Sequence, residues 1–341
     1  MKFIYTFLIL LAFVSTVGAQ ELELPEPGIT PDSWFYGFKR AFEAISLFFT
    51  FDEAAKVKKL LYYAELRLSE ARVMAEKGKP EYIDNLIKDY EKKLGEANKI
   101  ASLAKEASKK EKLSELVATA TSQHLQILDK AQEQIPEQAK DKISTAKERS
   151  IKGNQEALKV LATVNPEKAA EIAMNIAEGR INKARQAAER GDVEEVAEAV
   201  EEYKKYVKFG EEIAAISQQA GKDPSKVYEI VANATSIHLT VLEDVLQKVP
   251  EQAKAAIQSA IEVSKVGREF AIKALEERGL PVPSLPIPVE EEREKNITKV
   301  VPEEVPEINE TETPEIPLKT NETEIPEKQP EIPKIGQGGR P

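Results

Sequence analysis

ATATSQHLQILDKAQEQIPEQAKDKISTAKERSIKGNQEALKVL at 118–161 returns as ANATSIHLTVLEDVLQKVPEQAKAAIQSAIEVSKVGREFAIKAL at 232–275, with 20 of 44 positions identical and no gap. PEQAK stands unbroken at 136–140 and 250–254, and the only two histidines of the 341-residue chain, His124 and His238, fall at equivalent sites. An internal duplication of this length decides the architecture before any motif is considered. Upstream the offset drops from 114 to 113, since Arg67, Arg72, Gly78 and Tyr90 align with Arg180, Arg185, Gly191 and Tyr203. One residue was therefore gained in the second copy.

Apolar residues recur at three- and four-residue spacing with no competing strand alternation, so both copies read as helix after helix. Expected helices are 53–77, 80–107, 111–134 and 136–162, then 166–190, 192–219, 224–248 and 250–278. Gly78 and Gly191 suit the left-handed ending of a first helix, and Pro136 and Pro250 suit the start of a fourth. Asn165-Pro166 and Asp223-Pro224 add a capping side chain to the proline. Long helices joined by short turns must fold back, which predicts an all-α protein of two tandem antiparallel bundles, 52–163 and 164–279.

Outside the bundles the composition changes. MKFIYTFLILLAFVSTVGAQ opens with Lys2, an apolar run from Phe3 to Val17 and small residues before Gln20, the layout of a signal peptide over 1–19. The run is shorter than the roughly 20 residues that cross a bilayer, so cleavage is expected in preference to an uncleaved anchor. After Gly279 the chain holds 12 of its 20 prolines and most of its net charge of −11, a composition that predicts a disordered acidic tail over 280–341. With no cysteine there is neither a disulfide framework nor a thiolate site. The body has no clustered Lys/Arg excess, which argues against nucleic acid as a partner.

Few residues could carry chemistry. His124 and His238 each lie on an apolar helical stripe, where the expected state is a neutral imidazole bonded to a nearby hydroxyl, Thr121 or Thr235. As metal ligands they would need the two copies face to face, with Asp129 or Glu243 recruited. Glu137 and Glu251 in PEQAK are accounted for by helix initiation. No metalloprotease or di-iron motif, glycine-rich phosphate loop or nucleophile–base pair is present, so neither catalysis nor a cofactor is expected. Asn296, Asn309 and Asn321 head Asn-x-Thr acceptor sites in the tail and are candidates for glycosylation, whereas Asn233 heads one inside an expected helix.

Eight of the 21 aromatic residues lie between Trp34 and Phe51. The preferred reading is a short helix that plugs the first bundle with Trp34, Phe38, Phe42 and Ile45. The alternative is a membrane-surface or partner-docking helix presenting Trp34, Phe35, Phe38 and Phe42, with Lys39 and Arg40 on its polar side.

PDSWFYGFKRAF at 31–42, TFDEAAKVKKLLYYAELRLSEAR at 50–72 and HLxxL followed by PEQAK together resemble a prokaryotic family of exported helical proteins, domain of unknown function 5667. Pro31, Asp32, Ser33, Tyr36, Lys39, Ala64, Glu65, Arg67, Leu68, Glu70 and Ala71 carry the likeness, and the second copy lacks the PDSWFYGFK entry. The resemblance implies export and a helical fold but no activity. The expectation is a secreted or cell-surface structural or interaction protein, with a protein or the cell envelope as partner and possible membrane contact through 34–51. A ligand or metal binder using His124 and His238 is the competing class.

Overall fold

The structure is a computed structural model that describes residues 24–283; the expected leader and the expected tail, with Asn296, Asn309 and Asn321, lie outside the described residues. The described residues form nine α-helices: α1 (Tyr36–Phe48), α2 (Glu53–Glu76), α3 (Ile83–Leu103), α4 (Ala107–Gln134), α5 (Glu137–Ala162), α6 (Pro166–Arg190), α7 (Val193–Gln219), α8 (Ser225–Lys248) and α9 (Glu251–Glu276). A single 3-10 turn, Pro80–Tyr82, leads into α3.

The ends of the helices follow from local chemistry. Asp52, Asn165 and Asp192 accept hydrogen bonds from the backbone N–H groups of Ala55, Lys168 and Glu195, relieving donors that have no intrahelical partner. Asp223 does the same for Ser225 from one position further out. Gly78 (φ 67°) and Gly191 (φ 73°) take the left-handed turn that closes the first helix of each copy. Pro136 and Pro250 sit just outside α5 and α9 as N-caps, so the first helical residues are Glu137 and Glu251. The largest departure from expectation is the α3–α4 junction, which falls at Ala104 to Glu106, about four residues early. No Gly or Pro marks it; the chain leaves the helix at Ala104, which is buried with an extended backbone (ψ 127°).

Consecutive helices pack antiparallel as four hairpins, α2–α3, α4–α5, α6–α7 and α8–α9. Within each copy the hairpins stack so that α3 touches α5 and α2 touches α4, with α7–α9 and α6–α8 as the counterparts. The same relation is repeated across the boundary between copies, where α5 touches α7 and α4 touches α6. One continuous apolar core consequently runs from Leu47 and Leu60 in the first copy to Leu242 and Leu275 in the second. Side chains press on helix backbone at matching points: a Cβ on Gly153 of α5 would lie 2.8 Å from Leu94 Cδ1 of α3, and one on Gly267 of α9 would lie 2.9 Å from Val207 Cγ1 of α7.

Candidate functional site

Helix α1 is laid on the first bundle with its polar side inward. The stripe of α2 that faces it contains Arg67 and Glu70, whose side chains are fully buried among Leu60, Ala64, Ala71 and Met74. Buried ions need partners, because an uncompensated one costs several kcal/mol. Helix α1 supplies them. Arg67 Nη2 donates to Glu43 Oε1 at 2.7 Å and to Glu70 Oε1 at 3.0 Å, while its Nη1 donates to Tyr36 Oη at 3.1 Å. Tyr36 in turn donates to Glu70 Oε2 at 2.7 Å, and Lys39 pairs with Glu70. Arg40 bridges Glu43 at 2.8 Å and Asp89 of α3 at 2.7 Å. Burial outweighs these cations at Glu43 and Glu70 and holds both carboxyls above their usual range.

Turning that face inward leaves the apolar face outside. Trp34 is 77% exposed, Phe42 71% and Phe51 84%, and Phe35, Phe38, Ile45, Phe48 and Phe49 are exposed with them. The expectation that Trp34, Phe38, Phe42 and Ile45 plug the first bundle is therefore corrected: all four face solvent, and only Leu47 of the helix's apolar side chains is buried. The physical reason is the Arg67–Glu70 pair, since satisfying buried charge decides the rotation of α1 against its own hydrophobicity. Seven aromatic rings and an isoleucine present on the order of 1,000 Å² of apolar surface, more than the roughly 300–600 Å² of the largest patch on an ordinary monomer. Lys39 and Arg40, placed by the sequence on the polar side of this helix, pair there with Glu70, Glu43 and Asp89. Sequence reasoning missed Glu43; the available signal was the charge of Arg67 and Glu70 on the core stripe of α2.

The entry segment is anchored as firmly as the helix. Asp32 accepts from Lys79 at 2.7 Å and from Thr30, which hold its carboxyl well below the usual range. Lys39 also donates to the backbone carbonyls of Pro27 and Ile29.

A second ionic cluster occupies the equivalent place in the second copy. Arg180, the counterpart of Arg67, pairs with Asp129 at 2.7 Å and with Glu202, the counterpart of Asp89, at 2.9 Å. Lys147, 1% exposed, contacts Asp129, Glu198 and Glu202 at 3.1, 2.9 and 3.0 Å. Desolvation opposes the charge on Lys147, but the three carboxylates outweigh it and raise its pKa. Asp129 and Lys147 belong to α4 and α5, so that hairpin gives the second copy what α1 gives the first. This explains how the second copy folds without a PDSWFYGFK entry.

The histidines enter parallel dyads between copies. His124 Nδ1 lies 3.1 Å from Tyr90 Oη, and His238 Nδ1 lies 3.3 Å from Tyr203 Oη. The hydroxyl partner is thus a tyrosine of the neighbouring hairpin, in correction of Thr121 and Thr235, which bond instead to Val117 and Val231 carbonyls of their own helices. A tyrosine 34 or 35 positions away reaches the ring only through packing. The dyads differ around this contact: His124 Nε2 faces Glu65 Oε1 at 3.3 Å, whereas the counterpart Glu178 is exposed, and Tyr203 Oη also meets Ser264 Oγ at 2.5 Å, whereas the equivalent Ser150 donates to the Thr121 carbonyl. Burial alone pushes the His238 imidazole down to about 4. Each histidine is committed to its own tyrosine, and among the described residues no group of three or more His, Cys, Asp or Glu side chains could hold a metal ion. Asn233 lines an open cleft of about 570 Å³ with Asp223, Lys226 and Leu280.

Two segments, 28–138 and 150–252, match the family model described as domain of unknown function (DUF5667). The chain belongs to the DUF5667 family. The match falls twice, as the duplication requires, and its second segment starts inside α5, the second helix of the hairpin that takes the place of α1 at the second copy. No curated protein and no solved structure matches the chain.

Proposed function

We propose that this DUF5667 protein is exported and works at the cell surface as a non-catalytic docking protein: a stack of helical hairpins that holds out α1. The observation that carries this reading is the inverted seating of α1, which fixes Tyr36, Lys39, Arg40 and Glu43 in an interior ion network and leaves Trp34, Phe38, Phe42 and Phe48 outside. A helix that merely completed a core would be seated the other way, because exposing this much aromatic surface opposes folding. The apolar leader run and the Asn-x-Thr sites of the tail support export.

Two measurements test the reading. Protease added to intact cells should digest the protein; recovery in the cytoplasm with residues 1–19 attached overturns export. A photo-crosslinking residue at Phe42 should form adducts on those cells, and the same residue at exposed Glu262 of α9 should not. Equal adducts from both positions, or none from Phe42, remove α1 as the docking element.

A further inference from the structure

We infer that the exposed face of α1 seats in the lipid–water interface of a membrane, the helix lying flat on it; this rests on the docking reading above and names its partner. The chemistry of the face points that way. From Trp34 to Phe51 the exposed side chains are Trp34, Phe35, Phe38, Phe42, Ile45, Phe48, Phe49 and Phe51, with only Gly37, Ala41 and Ala44 between them. Apart from the Trp34 indole N–H, none of them can donate or accept a hydrogen bond. A protein partner of ordinary kind would meet a polar rim and about one hydrogen bond per 100–200 Å². Lipid asks for neither.

The charges of α1 add to the case. Lys39, Arg40 and Glu43 are paired with Glu70, Asp89 and Arg67, so insertion to the usual depth of about 5–10 Å strips water from no unpaired ion of the helix. The exposed side chains from Trp34 to Phe51 carry no charge themselves, so binding should depend little on lipid charge. No described helix is long and apolar enough to cross a membrane, so the attachment is interfacial.

Chain continuity is the independent observation. The apolar run Phe3–Val17 ends seven residues before Leu24, which is buried on the body, and seven residues reach at most about 25 Å. Pro27 and Ile29 are in turn held to α1 by Lys39. A bilayer that receives the leader during export therefore lies within reach of the aromatic face, and the face remains after the leader is gone.

Trp34 is the chain's single tryptophan and sits on the face, so its fluorescence reports occupancy directly. The chain from Gln20 onward, mixed with phosphatidylcholine vesicles, should float with them. Trp34 emission should shift to the blue and be quenched by brominated acyl chains, at about 0.5 M salt as at low salt. Phe38→Ser, Phe42→Ser and Phe48→Ser together should abolish flotation and the shift while circular dichroism and Tm stay unchanged. Absence of flotation and of any shift overturns the inference. So does a Trp34 emission that is already blue without lipid and reddens on dilution, which makes a second copy of this chain the occupant. Adducts from Phe42 to protein alone, without vesicle binding, leave docking standing and refute lipid.

Discussion

His238 shows what burial does to one residue. Its imidazole, held neutral beside Tyr203, takes a proton at about pH 4, while the unfolded chain takes it near 6.5. Below 6.5 the unfolded state therefore binds the proton that the folded state refuses. The stability this group contributes is complete above that pH and falls as pH drops toward 4, by about 3 kcal/mol at the limit. His238→Gln, which stays neutral, should flatten this part of the pH profile when urea unfolding of variant and parent is compared at pH 8 and pH 5. Because the chain has only two histidines, the imidazole signals can also be followed by NMR, and a His238 titration near 6.5 would refute the assignment. The helical stripe and the burial of both histidines were legible from spacing; their tyrosine partners were not, being set by how hairpins stack.

Among the elements, α1 gives the sharpest contrast between pattern and orientation. Its apolar stripe is plain in the sequence, but which way the stripe faces depends on Arg67 and Glu70 in another helix. Phe42→Ser should therefore change stability by less than about 0.5 kcal/mol, as surface substitutions do, whereas Leu47→Ala on the buried side should cost about 2 kcal/mol or more in denaturant unfolding. Equal costs would mean that α1 is seated the other way. Glycines inside helices divide similarly. Gly153→Ala and Gly267→Ala push a Cβ against Leu94 and Val207 and should destabilise by about 1–3 kcal/mol. Gly179→Ala, at an exposed helical position with nothing within 4 Å, should stabilise by about 0.5–1 kcal/mol. Thermal midpoints that moved the same way at both kinds of site would contradict the close α3–α5 and α7–α9 crossings.

For the whole molecule the decisive feature is the seam between copies. The apolar core is continuous across it, and Lys147 is surrounded there by Asp129, Glu198 and Glu202. Calorimetry should show one cooperative transition for the folded body. Lys147→Met leaves three carboxylates facing Arg180 and Lys183 alone and should cost about 3–5 kcal/mol, the price of breaking a buried ionic group on one side. It should also split the transition, because the damage is confined to the join. An unchanged single transition with a loss under about 1 kcal/mol would show that apolar contacts alone hold the copies together. Ile261 stands at the equivalent position of the second copy, so the cluster is specific to the seam.

The sequence by itself determined the helices, most of their ends and the duplication, because spacing, caps and the Gly and Pro signals act within a few residues of where they are read. Family membership was legible too, in PDSWFYGFKRAF and the repeated PEQAK. Only the tertiary structure decided that α1 turns its aromatic side outward, that the hairpin α4–α5 stands in for α1 at the second copy, and that tyrosines meet the histidines. Each of these depends on a buried polar group finding a partner on a different element. Such pairing is a property of packing in space, where a charge far along the chain can outweigh the hydrophobic pattern beside it.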